Sequence, residues 1–507
     1  MERAGAGAAI PVIIGAAQLA NKDTSRLVTP VALAHDAVVR AAAQSGVPAL
    51  VDRVDALFAP PASVFAERTL ADELGDLLGV DGPRMTAGFS GAGPLTLLAQ
   101  ACEAVVDGTA RVALLAGAVA EASVKHARAQ GIDVGPQSAP WSQGSGGRQE
   151  LPRTDVRYRN FLGAESAAGI TGPGDIFALL ESSLAHEAGR EPDEQRRRLG
   201  ELMAPFTTVA ATRPDVAWFP VARRAEHLST VTPENRMVAE PYPKRMNSFP
   251  TVDLAAAVFV TTDATADALG IAADARVYPW STGHCADVAP PSGRPSIHRS
   301  GALRAAIEAT LRGARLGVDD LTAFDLYSCF PAAVQLSMQV LGLRPDDPRL
   351  LTLTGGLPYF GGPGANYVTH AIVAAVERCR GAATQRALVV GVGGAPSDFA
   401  ATVFAATPPD VAWAIDRCAS MAAVLETERV PVDNTREGRA VVEAMTVVHE
   451  RDSGPMRVPI IARYADGVRT GAQAADASLA RELAGTSLVG REVRVGSCDG
   501  RPVFDVL

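Results

Sequence analysis

Four residues of this 507-residue chain stand beside glycine-rich or apolar stretches that could present them for chemistry. Ser90 lies inside a glycine-rich stretch, Tyr327 follows an apolar run, and Tyr367 and His370 follow a second glycine-rich stretch. A serine hydroxyl can attack a carbonyl carbon when a neighbouring base takes its proton. Phenol and imidazole groups can exchange protons or hydrogen bond to a carbonyl oxygen. The set therefore indicates chemistry at a carbonyl group.

Ser90 has three open roles. It stands at the glycine-rich start of an apolar helix that we predict to extend through about Val106. The free N–H groups and partial positive charge of a helix N-terminus can stabilise an oxyanion. Ser90 can therefore cap the helix, hydrogen bond to a substrate, or act as a nucleophile.

Two other motif assignments fail on their glycine spacing. Residues 88–92 approach the Gly-x-Ser-x-Gly elbow of α/β-hydrolases, but Ala92 occupies the last glycine position. Residues 391–394 lack the final glycine of the dinucleotide-binding fingerprint. Neither a hydrolase elbow nor a dinucleotide site is supported.

The two tyrosines support a second hypothesis. Tyr327 follows a predicted buried strand and Tyr367 lies near the start of a predicted helix, so we expect both phenols to point into one cleft. A phenol can act as a base where a cationic or dipolar setting lowers its pKa from about 10. His370, three residues after Tyr367, is expected to orient a substrate or tune that tyrosine. For the two tyrosines the alternative is partly buried packing with a satisfied hydroxyl, and for His370 it is a core or surface histidine without a role in chemistry.

The elements that must position these residues alternate between strands and helices, which indicates α/β architecture. The first half has predicted strands at 12–15, 54–59 and 111–117 and helices at 30–44 and 88–106. The second half repeats this order, with strands at 276–278, 321–327 and 387–392 and helices at 301–311 and 364–380. The recurrence predicts a duplicated βαβαβαβ plan.

An insertion and a tail interrupt and extend this plan. Residues from about 121 to 250 form the insertion, which is rich in glycine, glutamine and proline at 135–147. After Pro408 the composition changes, and a helix at about 410–425 precedes a β-rich tail. The tail's predicted strands lie at 441–448, 458–464, 492–495 and 503–506, the last two forming a hairpin. We predict an N-terminal half at 1–270, a C-terminal half at 271–407, and a small domain at 408–507, either a barrel, with an OB-like form as one option, or a sandwich.

The stretches at 326–331, 355–367 and 390–394 resemble motifs of the thiolase superfamily, in particular its sterol-carrier-type branch. That branch surrounds a nucleophilic cysteine with His-Asp-Cys-Phe, Gly-His-Pro and Cys-x-Gly motifs. Here Tyr327, Gly362 and Val392 stand where those motifs have His, His and Cys, and Ser90 stands at the nucleophile position. An alignment shifted by one residue would place Phe89 there instead. The resemblance implies a duplicated five-layered thiolase-like fold over roughly residues 10–407.

The resemblance also implies the ligand. Thiolases act on coenzyme A thioesters, so it implies an acyl-CoA substrate and no covalently bound cofactor. The insertion is then expected to cover the active site and to grip coenzyme A. Lys244 and Arg245 near its end could meet the phosphates of coenzyme A, with a solvated basic patch as the alternative.

Thiolase-fold steroid side-chain aldolases carry tyrosines at similar places. This likeness implies aldol-type carbon–carbon cleavage or condensation through Tyr327 and Tyr367. Backbone N–H groups near Gly362 and Gly394 are expected to hold the enolate oxygen, because glycine permits a close approach.

Two hypotheses compete with the aldol reading. One is a catalytically silent protein that binds acyl-CoA or a partner enzyme, and the other is a weak acyltransferase through Ser90. Ordinary thiolase activity is not expected, because the nucleophilic cysteine and both histidines are replaced. Cys329 belongs to the motif's frame, and we expect it to be a buried packing residue.

Composition limits the partners. A formal net charge of −9 with only three lysines leaves no long-range attraction for nucleic acid or anionic membranes. The six cysteines are scattered without a CxxC pair, so neither structural disulfides nor a metal site is expected. The start of the sequence carries an acidic residue, Glu2, and lacks a long apolar core, so it does not resemble a signal peptide, and no apolar run reaches about 18 residues. We therefore expect a cytoplasmic protein. The thiolase resemblance implies a homodimer, and a partner enzyme is the alternative.

Overall fold

The computed structural model describes residues 9–62, 68–134, 163–170, 172–287 and 290–507. The glycine-rich stretch at 135–147 lies outside the described residues. The strands before the tail are β1 (Pro11–Ala20), β2 (Ala56–Ala59), β3 (Arg84–Thr86), β4 (Val112–Ala120), β5 (Met237–Ala239), β6 (Tyr242–Pro243), β7 (Asp253–Thr262), β8 (Tyr278–Ala286), β9 (Ala323–Leu326), β10 (Arg386–Gly393), β11 (Asp398–Ala405) and β12 (Ile415–Asp416). The helices are α1 (Pro30–Gln44), α2 (Leu70–Leu78), α3 (Gly93–Val106), α4 (Glu121–Ala129), α5 (Ala164–Ala167), α6 (Pro173–Glu187), α7 (Pro192–Ala211), α8 (Ala225–Ser229), α9 (Asp263–Ala268), α10 (Gly301–Ala314), α11 (Pro331–Leu341), α12 (Tyr367–Cys379) and α13 (Ala419–Thr427).

Two five-stranded sheets repeat one plan. The strand order is β1-β7-β4-β2-β3 in the first sheet and β12-β8-β11-β10-β9 in the second. In the first sheet β7 is antiparallel to both β1 and β4, and β2 is parallel to β4. In the second sheet β11 is antiparallel to both β8 and β10, and β9 is parallel to β10. The duplication predicted from the element order is confirmed.

Helices α3 and α12 lie between the two sheets. α3 contacts β4 and β2 of the first sheet and β11 and β10 of the second, while α12 contacts β7 and β10. α1 packs on the first sheet and α10 on the second. Nearly every residue of β1 and β4 is buried, as expected for strands covered on both faces. The five-layered α/β fold predicted from the sequence is confirmed.

Local patterns placed most elements near their observed positions. The helix predicted over 30–44 spans Pro30–Gln44, where Thr29 caps the N-terminus. The helix predicted over 88–106 begins only at Gly93, because the preceding turn packs against the second half of the chain. Strand β11 was not predicted, since its small residues follow directly on the glycine turn after β10.

The tail folds into a closed barrel. Its elements are β13 (Gly438–Met445), β14 (Val448–Glu450), β15 (Gly454–Arg457), β16 (Pro459–Arg463), β17 (Arg469–Ala474), α14 (Ala477–Leu483), β18 (Glu492–Cys498) and β19 (Arg501–Val506). The order around the barrel is β13-β16-β17-β19-β18. The predicted hairpin is confirmed, with Cys498 paired to Arg501. The tail helix begins later than the predicted 410–425, because β12 pairs with β8 before it.

The barrel is tied closely to the body. β14 and β15 share a four-stranded sheet with β5 and β6 of the insertion. Arg469 of β17 is 1% exposed, and its guanidinium donates to the Ser292 carbonyl oxygen at 2.9 Å and to Glu443. Arg294, also buried, donates to the Ala395 carbonyl oxygen at 2.9 Å. The contacts of the barrel therefore lead to the turn between β10 and β11.

Candidate functional site

Ser90 links the start of α3 to the second half of the chain. Its Oγ accepts a hydrogen bond from the Ala92 N–H at 3.1 Å and donates to Asp398 Oδ2 at 2.5 Å. This contact requires glycine at position 393, because a Cβ there would lie 1.9 Å from Ser90 Oγ. Ser90 therefore both closes the turn before α3 and orients a carboxylate.

Asp398 in turn holds His284. Asp398 Oδ1 lies 2.8 Å from His284 Nε2, and the two side chains are 21% and 30% exposed. An ionised carboxylate only accepts hydrogen bonds, so Nε2 carries the hydrogen and the neutral ring keeps an acceptor lone pair at Nδ1. Within the described part of the chain, no group hydrogen bonds to Nδ1. The result is a chain of hydrogen bonds from Ser90 through Asp398 to His284.

These three side chains line a cavity of about 420 Å³ at the N-terminus of α3. This volume falls in the range of small-molecule sites, which begins at about 300 Å³. Gln100 also lines the cavity, and its buried Oε1 has no hydrogen-bond partner among the described residues. Arg417 lies at the same cavity and is held by Glu103 at 2.7 Å. The cavity therefore combines a histidine base, a carboxylate and an unpaired polar atom.

The structure brings the two candidate tyrosines together but buries both. The rings of Tyr327 and Tyr367 meet edge to face, with centroids 5.6 Å apart. Burial raises the pKa of each phenol well above its ordinary value, and Asp325 adds to this effect at Tyr367. The cationic or dipolar setting that was expected to lower the pKa of these tyrosines is therefore not found at either phenol. Tyr327 Oη lies against Gly91, where an added Cβ would be 2.6 Å from it.

Tyr367 belongs to a sealed polar cluster around Asp325. Its Oη lies 2.5 Å from Thr354 Oγ1 and donates to Asp325 Oδ1 at 3.2 Å. Asp325 Oδ2 also accepts from the N–H groups of Leu353 and Thr354 at 2.8 and 3.0 Å. Tyr367 is 1% exposed and Asp325 is fully buried. The expectation that both phenols point into one cleft is therefore corrected, because the hydroxyl of Tyr367 is committed to the core.

His370 also lies inside the protein. It is fully buried, with Nδ1 3.0 Å from Gln18 Oε1 and its ring 5.2 Å from that of Phe360. Burial, with a smaller contribution from Arg213, lowers the pKa of His370 to about 3. The expected contact with a substrate is corrected, because this imidazole is neutral and enclosed.

The remaining candidates lie apart from the cavity. The Gly362 N–H donates to the Phe249 carbonyl at 2.8 Å, so it is not available to hold an enolate oxygen, and that expectation is corrected. Gly394 follows β10 with φ of 66°, next to the turn that leads to Asp398. Lys244 is exposed, and Arg245 donates to the His227 carbonyl at 3.1 Å. Neither Lys244 nor Arg245 lines the cavity at Ser90.

The cysteines carry no activated thiol at this site. All six are free, and five of them, including Cys329, are buried. Burial raises the pKa of the Cys329 thiol, which disfavours a thiolate. Across the described ranges, no group of three His, Cys, Asp or Glu side chains could hold a metal ion. Nor does any helix in those ranges have the length and apolar character to cross a membrane.

Sequence reasoning missed His284 and Asp398. The two residues are 114 positions apart and meet because β8 and β11 are antiparallel neighbours, with Ala286 opposite Asp398 and Ala400 opposite His284. This register makes them a diagonal cross-strand pair. The polar residues at the end of a strand and after a glycine turn were visible, but no local pattern paired them.

Comparison with known proteins supports the family resemblance. Residues 421–501 match the family model of the thiolase-like protein type 1 additional C-terminal domain. This stretch contains most of the barrel and none of the residues at the cavity. No curated protein matches the sequence.

One solved structure matches nearly the whole chain, and two others match about four-fifths of it. A monomeric SCP2-thiolase like protein type 1 from Mycobacterium smegmatis is 27% identical with a TM-score of 0.82, covering 98% of this chain and 99% of that one. The Ltp2-ChsH2(DUF35) aldolase is 18% identical with a TM-score of 0.59, covering 79% and 98%. The Acat5 thiolase from Ascaris suum, solved in complex with coenzyme A, is 14% identical with a TM-score of 0.55, covering 78% and 99%. This chain therefore has a thiolase-like fold, and its residues 421–501 are similar to the additional C-terminal domain of thiolase-like protein type 1.

Proposed function

We propose that this chain binds an acyl-CoA thioester and does not catalyse thiolysis. The observation that carries the proposal is the cavity of about 420 Å³ at the N-terminus of α3, which Ser90 lines. The sequence resemblance assigns Ser90 to the nucleophile position of thiolases. The positive end of a helix favours an oxygen that carries partial negative charge, such as a thioester carbonyl. The thiolase fold and a relative solved with coenzyme A support this class of ligand.

The absence of thiolysis follows from the groups at the motif positions. Thiolysis requires a nucleophilic thiolate and proton transfer to and from the thiols. Ser90, Gly362 and Val392 supply no thiol or imidazole, and Cys329 is a buried thiol whose pKa is raised. Acetoacetyl-CoA with free coenzyme A should therefore yield no acetyl-CoA above background. A turnover of about 1 s⁻¹ or more would contradict this.

The two catalytic alternatives fit the geometry less well. An acyltransferase would need Ser90 to lose its proton, but the nearest base is a carboxylate that already accepts a hydrogen bond from His284. An aldol reaction through the tyrosine pair would need Tyr367, whose hydroxyl is held by Thr354 and Asp325. Binding without either chemistry is the function that these contacts favour.

Calorimetric titration with acetyl-CoA, acetoacetyl-CoA and a long-chain acyl-CoA tests the proposal, and Gly88→Leu supplies the informative variant. Gly88 lines the cavity and has open space where a side chain would project, so leucine should occupy the cavity without disturbing the fold. Gly496→Leu is the matched control, because its added side chain also meets open space but lies on the barrel. We expect affinity for the bound thioester to fall at least about tenfold in Gly88→Leu, a change of about 1.4 kcal/mol. Affinity in the control should stay unchanged.

Two results would contradict the proposal. The first is the absence of binding heat for all three thioesters. The second is binding that Gly88→Leu leaves unaltered, which would place the ligand elsewhere on the molecule.

A further inference from the structure

We propose that His284 is the general base of this cavity and removes a hydrogen from the carbon next to the thioester carbonyl of a bound 3-ketoacyl-CoA. Asp398 and Ser90 act as positioning residues, the first for His284 and the second for Asp398. The inference rests on the proposed function and extends it from binding to a specific proton transfer.

The direction of the hydrogen bonds identifies which group is the base. Ser90 gives its hydrogen to Asp398 Oδ2 at 2.5 Å. His284 Nε2 lies 2.8 Å from Asp398 Oδ1, and because an ionised carboxylate only accepts hydrogen bonds, we assign the hydrogen of this contact to Nε2. Of these three linked side chains, His284 is then the one with an uncommitted basic atom, Nδ1, to which no described group hydrogen bonds. Asp398 stands between Ser90 and His284 in this series of hydrogen bonds, so the imidazole cannot take the proton of the serine hydroxyl.

Three separate elements hold this arrangement in place. His284 lies in β8, Asp398 begins β11, and Ser90 lies in the turn before α3. β8 and β11 are paired over nearly their whole length, which fixes the diagonal contact between His284 and Asp398. Sites built on paired strands hold catalytic geometry more closely than sites on loops. The contact is thus a built feature of the second sheet.

The cavity offers a suitable electrostatic setting. When the C–H bond at C2 breaks, its proton passes to Nδ1 and its electron pair moves to the carbonyl oxygen. Asp398 stabilises the imidazolium that forms, as a carboxylate does beside a catalytic histidine. The first residue of the 14-residue helix α3, Gly93, lines the same cavity, and the partial positive charge of this helix end would stabilise an enolate oxygen bound there. Return of a proton from the imidazolium regenerates the substrate, so the step needs no further reactant.

The other charged groups at the cavity are already paired. Arg417 binds Glu103 at 2.7 and 2.9 Å, and Asp287 accepts from Ser300 Oγ at 2.6 Å.

The choice of a 3-ketoacyl thioester follows from the strength of the base. The C2 hydrogens of that class lie between two carbonyls and are the most acidic that an acyl thioester offers to an imidazole.

Hydrogen exchange at C2 measures the step directly. The full-length protein is incubated with acetoacetyl-CoA in D₂O, and loss of the C2 signal is followed by proton NMR against a protein-free sample. We expect the protein to accelerate exchange, and His284→Gln to reduce the acceleration about 100-fold, within the usual range for a general base. His449→Gln is the matched control, because His449 Nε2 contacts Glu240 at 2.9 Å in a similar pair at the barrel. That control should exchange at the rate of the unaltered protein.

Positioning and structural roles are separated by the other variants. Asp398→Asn should slow exchange at saturating thioester at least about tenfold with the dissociation constant unchanged, and Ser90→Ala should slow it less. Added imidazole should restore exchange in His284→Ala, which a merely structural histidine would not show.

The outcomes distinguish this inference from the proposed function. A protein that binds the thioester but does not accelerate exchange overturns the role of His284 and leaves binding intact. Exchange in His284→Gln at the rate of the unaltered protein also overturns the role of His284. Failure of calorimetry to detect any thioester overturns the proposed function itself, and the inference with it.

Discussion

The two central helices occupy equivalent places in the duplicated plan, yet their N-termini differ in access. At α3, Ser90 begins a hydrogen-bonded chain that ends at His284, whose side chain is 30% exposed beside a cavity. At α12, Tyr367 donates to Asp325, and both residues are at most 1% exposed. Each terminus thus has a hydroxyl bonded to a carboxylate. The duplication supplied two similar frames, and the surrounding packing left only one of them open to a ligand.

The difference in access between the two helix termini also gives Asp325 and Asp398 different roles. Asp325 accepts from backbone N–H groups and hydroxyls of the 352–354 segment, so its charge is used to hold that segment. Burial raises the pKa of Asp325, and these hydrogen bonds act in the opposite direction. Among the described residues, Asp398 contacts two side chains, Ser90 and His284, and both of them line the cavity. A sealed carboxylate contributes to stability, whereas a partly exposed one can contribute to chemistry.

The largest effect is expected when the two carboxylates are removed in turn. Asp325→Ala leaves buried N–H and hydroxyl groups without an acceptor, and we expect it to cost about 3 kcal/mol or more of unfolding free energy. Asp398→Ala should cost about 1 kcal/mol, because water can reach its partners. Urea unfolding followed by circular dichroism measures both. Equal losses of unfolding free energy in the two variants would contradict the contrast between a sealed terminus at α12 and an open one at α3.

Acid sensitivity should come from the sealed side. The pKa of His370 is lowered to about 3 in the folded protein, below the ordinary histidine value of about 6.5. The unfolded chain therefore binds the proton first, so the stability contribution is present above pH 6.5 and is lost as pH falls toward 3. His370→Gln should flatten the stability curve in this window, measured by denaturant unfolding at several pH values. His35→Gln, at a partly exposed histidine, is the control and should leave the curve unchanged.

The tyrosine pair tests the comparison within the core. Tyr367→Phe removes a hydroxyl that contacts Thr354 and Asp325, so we expect a loss of about 1–2 kcal/mol. Tyr327→Phe should cost less than about 0.5 kcal/mol, because Tyr327 Oη has no hydrogen-bond partner among the described groups and the ring is retained. Chemical denaturation of the two variants gives the values. A larger loss of unfolding free energy in Tyr327→Phe than in Tyr367→Phe would contradict the finding that the Tyr367 hydroxyl is the one held in the core.

A small effect on stability is expected at Ser90. Ser90→Ala removes the hydrogen bonds to the Ala92 N–H and to Asp398, and loss of such a capping contact costs about 1 kcal/mol or less. Thermal unfolding should therefore change little. A loss of several kcal/mol would mean that Ser90 is a core residue and that its terminus is sealed like the other.

Much of the fold could be predicted because its signals are local. The helix predicted at 30–44 matches α1, and apolar runs predicted β1, β4 and β10. The candidate site was only partly predictable. Helix capping, hydrogen bonding to a substrate and nucleophilic attack were all open roles for Ser90, and its carboxylate partner lies 308 positions away in the sequence.

The sequence by itself determined the order of the elements, the duplication and the change of composition before the barrel. These follow from side-chain type and short-range periodicity, which are properties of each segment alone. The tertiary structure decided which polar residues meet and which remain accessible. Tyr367 and His284 both lie in largely apolar segments. Tyr367 is enclosed in the core, whereas His284 lies near the end of a strand beside a cavity. Access depends on strand register and on what packs above each residue, and neither is encoded within a single segment.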